Sequence, residues 1–310
     1  MLRAIATGTA LALLAHAVRY RWRLARMRAD DGRRHPVGAD GIVPGAHAIM
    51  LSSSETHAVL VIHGFGDTPQ SVRLLCEYLH GVRGWTVRAP LLPGHGRTLA
   101  DFDAAGSDTW RDAVASEYDA LATRYRTVTL VGQSMGGALA TLIAAGDPAL
   151  PALVLLVPYL TAPARAQRLA PLAGVVNLLV PYLQGGDRVQ SIFDAEARGL
   201  TLGAGAVPPK RIRDLVAVAN DARLAAGDVR APTLLIHSRT DYRISVALAE
   251  RHRGYFTGTG TCEQRWVEGS GHVIAVDYCR ESVWADTGDW LARYAGAPPA
   301  SASSQPVGGA

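Results

Sequence analysis

Residues 127–146 read TVTLVGQSMGGALATLIAAG. An apolar, β-branched run (127–133) passes into an Ala/Leu-rich helical run (138–146) across Gly132-Gln133-Ser134-Met135-Gly136. Three glycines within six residues suit neither strand nor helix, so the turn itself must need them. A turn this sharp holds its central residue at positive φ, a strained conformation for serine. Its neighbours two before and two after crowd together, and both are glycine. The turn lifts the Ser134 hydroxyl above the strand and beside a helix N-terminus, whose dipole favours developing negative charge. This pattern is the G-x-S-x-G nucleophile turn between strand and helix.

The rest of the chain repeats the strand–helix alternation. Strands are expected at 57–64, 85–90, 152–158, 231–238 and 261–268, and helices at 71–81, 108–125, 245–253 and 275–294. Near-continuous apolar strands alternating with helices imply an α/β fold, a mostly parallel sheet covered on both faces. Residues 36–56 read as loop. Residues 158–230 break the rhythm and are expected to be a helical cap inserted into the core of 36–157 and 231–295. The tail, 296–310, has little to bury and is expected to be disordered.

A serine hydroxyl needs a general base, and the base needs a carboxylate to fix its tautomer. In such sheets these groups gather beyond the C-terminal strand ends. TLLIHS runs into RTDYR, which places Asp241 there; the loop after ALVLLV carries no acid. TCEQRWVE runs into GSGHVIAVD, which places His272 after the last strand. His237 and His252 lie inside a strand and a helix and read as structural. Oxyanion donors are expected from the backbone N–H of Met135 and of Phe65 in the loop His63-Gly64-Phe65-Gly66. His63 reads as a brace for that loop.

With these residues in place, the chain resembles the α/β-hydrolases, in particular their bacterial carboxylesterase and monoacylglycerol-lipase branch. HGFGDTPQSVRLL (63–75), APLLPGHG (89–96), GQSMGG (132–137), HSRTD (237–241) and SGHVIAVD (270–277) carry the resemblance. It implies Ser134 as nucleophile, His272 as base, Asp241 as orienting acid, and Phe65 and Met135 as oxyanion donors. It implies a helical cap and no metal or organic cofactor. The expected substrate is a small-molecule ester, and the apolar VVNLLVPYL (175–183) suits an aliphatic acyl chain. Thioesterase, amidase or peptidase and carbon–carbon hydrolase chemistry can use the same triad. A non-catalytic membrane-associated binding protein would normally lack a triad member. Ser134 argues against dehalogenases and epoxide hydrolases, which attack through a carboxylate.

Charge divides unevenly. Residues 1–35 carry eight arginines and two aspartates, a net of +6, which leaves the body at −2. No basic surface remains for nucleic acid. Within the arm, an apolar run from Ala4 to Val18 precedes five arginines in ten residues. The run is short for a spanning helix, which needs roughly 20 apolar residues. Arginines after the run hold the body on the cytoplasmic side. Residues 1–28 are therefore expected to attach the chain to the inner face of the cell membrane. The alternatives are a cleaved export signal ending near Ala15-His16-Ala17 and a basic helix packed on the body. Cys76, Cys262 and Cys279 lack metal-like spacing and are expected to be free thiols, with a Cys262–Cys279 bridge as the alternative.

Overall fold

The computed structural model describes residues 2–184 and 191–296. Seven strands form one sheet: β1 (Ile49–Leu51), β2 (His57–Ile62), β3 (Thr86–Ala89), β4 (Thr127–Gln133), β5 (Leu153–Leu156), β8 (Thr233–Ser238) and β9 (Cys262–Val267). Their spatial order is β1-β3-β2-β4-β5-β8-β9, and only β1 pairs antiparallel. β1 lies inside the stretch expected to be loop. Its three residues are too few to show an alternating pattern.

Strand periodicity sends alternate side chains to opposite layers. Leu60, Leu130, Leu153 and Leu235 enter one buried cluster with Trp110 of α4 (Ser107–Arg124) and Leu139 of α5 (Met135–Gly146). Val61, Val131, Val154 and Ile236 enter the other, with Leu75 of α2 (Arg73–Gly81) and Trp290 of α11 (Arg280–Ala295). Both faces of the sheet are thus covered, as expected for parallel strands. A short helix, α3 (Leu99–Ala104), opens with Thr98 and Asp101 in a reciprocal capping box.

Between β5 and β8 lie α6 (Ala164–Leu169), α7 (Ala173–Leu179), α8 (Ala195–Gly199) and α9 (Pro209–Ala225). A two-residue ribbon pairs β6 (Leu183–Gln184) with β7 (Ala206–Val207). This segment does not stay wholly apart from the core. Val218 and Ala222 of α9 sit in the same cluster as Leu139. The arm forms one helix, α1 (Leu2–Arg34). Its Leu24 and Met27 pack against Leu99, Tyr182 and Ala206, and Arg28 Nε donates to the Tyr182 hydroxyl at 3.1 Å. Farther along α1, His16 Nε2 lies 3.0 Å from the Leu178 carbonyl oxygen of α7. Among the described residues no helix is long and apolar enough to cross a membrane. All three cysteines are free, so Cys262 and Cys279 form no bridge. The tail, from residue 297 onward, lies outside the described residues.

Five histidines are buried and held neutral. Burial lowers His57, His95 and His252 to about 4, and His63 and His237 to about 3. On unfolding each returns to its ordinary value near 6.5 and binds a proton at mildly acid pH. The unfolded state then binds more protons than the native state, so stability falls as pH drops below about 6.5. Each histidine adds a slope of up to about 1.4 kcal/mol per pH unit. Thermal unfolding at pH 7.5, 6.0 and 5.0 should show Tm falling at an increasing rate. A Tm that stays flat to pH 5 would contradict this reading.

Candidate active site

β4 ends at Gln133 and α5 begins at Met135, so Ser134 alone makes the turn. Its φ is 54° and its ψ −117°, the strained geometry expected of it. A Cβ on Gly132 would lie 2.3 Å from the Gly136 carbonyl oxygen, and one on Gly136 2.1 Å from that of Ile62. Only glycine fits at either position. Gly137 lets α5 approach Pro158, whose Cβ would lie 2.9 Å from an added Cβ. The helix starts three residues earlier than Ala138, where its propensity would have placed it; packing against β2 overrides the cost of the two glycines.

The backbone of Ser134 is pinned from both sides of the turn. Its N–H donates to the Leu156 carbonyl at 2.9 Å, and its carbonyl accepts from Gly137 at 2.9 Å and Tyr159 at 3.0 Å. Val157, between those partners, also holds a positive φ of 42°. A β-branched residue rarely adopts that region, so the root of the insertion is strained as well.

The three polar residues expected at three strand ends meet. His272 Nε2 lies 2.9 Å from Ser134 Oγ, and His272 Nδ1 lies 2.7 Å from Asp241 Oδ2. The carboxylate accepts only, so Nδ1 carries the proton and Nε2 is left to accept from the hydroxyl. Asp241 Oδ1 accepts the backbone N–H of Arg243 at 2.7 Å and of Ile244 at 3.2 Å. Burial pushes the Asp241 carboxyl up, but His272 and the two N–H donors outweigh it and hold it below the usual carboxylate value. A carboxylate so held stays charged and can stabilise an imidazolium.

The His272 loop has its own supports. Buried Asp277 accepts the Gly271 N–H at 2.7 Å and also the N–H groups of Phe193 and Asp194. Ser238 and Thr240 donate to the Ser270 carbonyl at 2.5 and 2.6 Å. Asp277 entered the sequence reading only within a matching stretch. Its signal was an aspartate in a small-residue loop ahead of a helix.

Gly64 lies against the serine, with an added Cβ 3.3 Å from Ser134 Cβ. Phe65 follows Gly64 in that loop, and Met135 is the first residue of α5. His63 is buried; its Nε2 accepts the Leu92 N–H at 3.2 Å and its Nδ1 lies 2.9 Å from the Gly64 carbonyl oxygen. It ties this loop to the one after β3 and stands apart from the triad. The Phe65 ring packs against Phe102 and Trp110.

Ser134 and His272 open onto a cavity of about 560 Å³. Its apolar wall includes Phe65, Ile192, Val207, Ile212, Leu215 and Val273. The VVNLLVPYL stretch contributes less than its composition promised. Leu183 lines the cavity, whereas Val175, Leu178 and Leu179 are exposed at 59%, 71% and 56%. Ile212 and Leu215 of α9 take the place that stretch was expected to fill.

Comparison with known proteins agrees with this geometry. Over 253 residues the chain is 24% identical to a carboxylesterase of Bacillus subtilis (strain 168), covering 76% of this chain and 92% of that protein. Over 248 residues it is 26% identical to a thermostable monoacylglycerol lipase of Bacillus sp. (strain H-257), covering 77% and 91%. A structure described with the metagenome-derived lipolytic enzymes LipS and LipT superposes with a TM-score of 0.71 at 26% identity, covering 82% of this chain and 100% of that one. The monoacylglycerol lipase of Paleococcus ferrophilus shares the fold, with a TM-score of 0.67 at 20% identity, covering 80% and 98%. Residues 53–277 match the family described as serine aminopeptidase, S33 (Hydrolase_4). By that match over most of its length, the chain belongs to the S33 family and folds as an α/β-hydrolase.

Proposed function

We propose that the protein is a serine carboxylic-ester hydrolase of the carboxylesterase and monoacylglycerol-lipase type. The observation that carries this reading is the hydrogen-bonded line Asp241–His272–Ser134 opening onto an apolar-walled cavity. Ser134 Oγ attacks the ester carbonyl while His272 Nε2 takes its proton. The N–H groups of Phe65 and Met135 receive the oxyanion, and Asp241 stabilises the imidazolium. His272 then protonates the leaving alcohol, and the same nitrogen activates the water that releases the acid. In this reading residues 158–230 act as the cap, rooted in the core through Val218 and Ala222 of α9.

The S33 family description raises an aminopeptidase as the rival. Such an enzyme must hold a cationic α-ammonium. Charged groups in the described cavity lining are Arg34, Arg243 and Asp67, an excess of cation that opposes it. A panel of p-nitrophenyl esters from acetate to dodecanoate, 1-monoacylglycerols, an acyl-thioester and alanine p-nitroanilide tests this. Medium-chain esters should exceed the anilide in kcat/KM by at least about 100-fold, the scale of a buried charge mismatch. Turnover led by the anilide would sink the ester reading.

The membrane-surface role of residues 1–28 belongs to the same proposal. Leu11, Leu14, Val18 and Trp22 of α1 are exposed beside its arginines. An apolar and cationic helix face suits the interface of an anionic bilayer on the cytoplasmic side. Full-length protein should float with vesicles containing 30% anionic lipid, and protein starting near His35 should not. Equal flotation of the two would remove the arm from this role.

A further inference from the structure

Two guanidinium groups in the cavity have no counterpart in the ester chemistry. Arg243 lies two residues after the triad acid. Its Nε and Nη2 donate to Ser191 Oγ at 3.1 and 2.9 Å. Ser191 is in turn held by its carbonyl, which accepts the Val273 N–H beside His272. A guanidinium has five N–H donors, and among the described residues two are used, which leaves three for the cavity. No carboxylate among the described residues lies within ion-pair distance of Arg243. Tyr159 faces it across the lining: burial pushes that phenol up to about 12 and the Arg243 charge opposes the shift.

Arg34 comes from outside the family's core. It closes α1, whereas the family match begins at residue 53. Its Nη1 lies 3.5 Å from where a Gly205 Cβ would stand. The loop beneath is fastened to the oxyanion loop, since Ala204 N–H donates to the Gly66 carbonyl at 2.7 Å. The helix end is fastened too, through Met27 and the Arg28–Tyr182 bond. Arg34 is therefore presented to the cavity by an anchored element. Asp67 is the carboxylate among the described lining residues, and its Oδ1 accepts the Thr68 N–H at 2.9 Å.

We infer that the cavity selects an anionic amphiphilic ester, with Arg243 and Arg34 holding a carboxylate or phosphate on a substrate whose chain lies along the apolar wall. This rests on the ester-hydrolase reading and names the substrate class of that same site. Guanidinium suits the task because its planar donors meet such anions in pairs and it is weakly hydrated. The N-terminal helix is then a part of the substrate site as well as an arm.

Two matched pairs of substrates test the assignment and tell on which side of the ester the anion lies. 1-Decanoylglycerol against its 3-phosphate carries the charge on the alcohol side. p-Nitrophenyl hexanoate against mono-p-nitrophenyl adipate carries it on the acyl side. One pair should favour the anion by about tenfold or more in kcat/KM at low salt, the scale of a hydrogen bond to a charged group. Arg34→Gln and Arg243→Gln should each cut that preference about fivefold or more. Arg126→Gln, at the opposite end of the sheet before β4, controls for loss of charge alone. No anion preference in either pair, or a preference surviving both substitutions, would overturn the inference. Equal loss on neutral and anionic partners in Arg243→Gln would make that residue a loop brace and overturn it likewise. Protection of Ser134 from a fluorophosphonate by hexyl phosphate against hexanol reads the site without turnover. Phosphate protection that the substitutions abolish, with no ester hydrolysed, would retain the anion site and reject the ester reading.

Discussion

Ser134→Ala is expected to lower kcat/KM for p-nitrophenyl and monoacylglycerol esters by at least about 10⁴-fold, the scale seen when a triad nucleophile is removed. The reason is local. Ser134 Oγ stands 2.9 Å from His272 Nε2, and no other hydroxyl among the described residues takes that place. What survives is the residual rate from oxyanion donors and substrate binding. The fold should not suffer, because alanine and serine face the same strain at a φ of 54°. Tm should therefore stay within about 2 °C, while labelling by a fluorophosphonate disappears. Retention of more than about 1% of activity with folding intact would remove Ser134 as nucleophile.

Gly136→Ala should be the most damaging Gly→Ala substitution among the described glycines. Its Cβ would lie 2.1 Å from the Ile62 carbonyl oxygen and 2.6 Å from that of His63. Both obstacles are backbone, so no rotamer change relieves the clash. Either α5 leaves β2 or the end of β2 bends, and β2 is an inner strand between β3 and β4. The cost should exceed about 4 kcal/mol, in the range reserved for severe overpacking. Gly146→Ala, at the other end of the same helix, has nothing within 4 Å and should change stability by less than about 1 kcal/mol. Urea unfolding of the two variants makes the comparison. A Gly136→Ala protein as stable as the wild type would mean that the close approach of α5 to β2 is not rigid.

The centre of this molecule was written plainly in its sequence. β4, Ser134 and α5 could be read because apolar runs of two periods meet at a turn only glycine permits. Asp241 and His272 followed from chemistry, since each strand end had to be searched for the missing partner. The surroundings were less legible, for physical reasons. β1 carries three residues and shows no alternation. α9 reads as polar because Arg211 and Asp214 interrupt it, yet they pair at 3.1 Å in a buried setting over Gly106. A charged pair buried together looks like a solvent face in one dimension. The cavity wall was misplaced for the opposite reason: the most apolar stretch of the insertion points outward, and composition carries no direction. Arg34 was counted only as part of a basic arm, because its nearness to Gly205 exists in three dimensions alone.

The carbonyl of Ser134 accepts from Tyr159, so the nucleophile and the first residues of the insertion share one fixed point. The far side of the insertion is stitched to the same frame where Ala204 donates to Gly66. Between those two stitches the Ser191 carbonyl and the Phe193 and Asp194 N–H groups hold the His272 loop, whereas among the described residues 160–180 carry no such bond to the reactive residues. A lineage of such proteins can therefore vary that stretch while keeping one chemistry. Exchanging residues 160–180 between two relatives should leave the catalytic engine untouched.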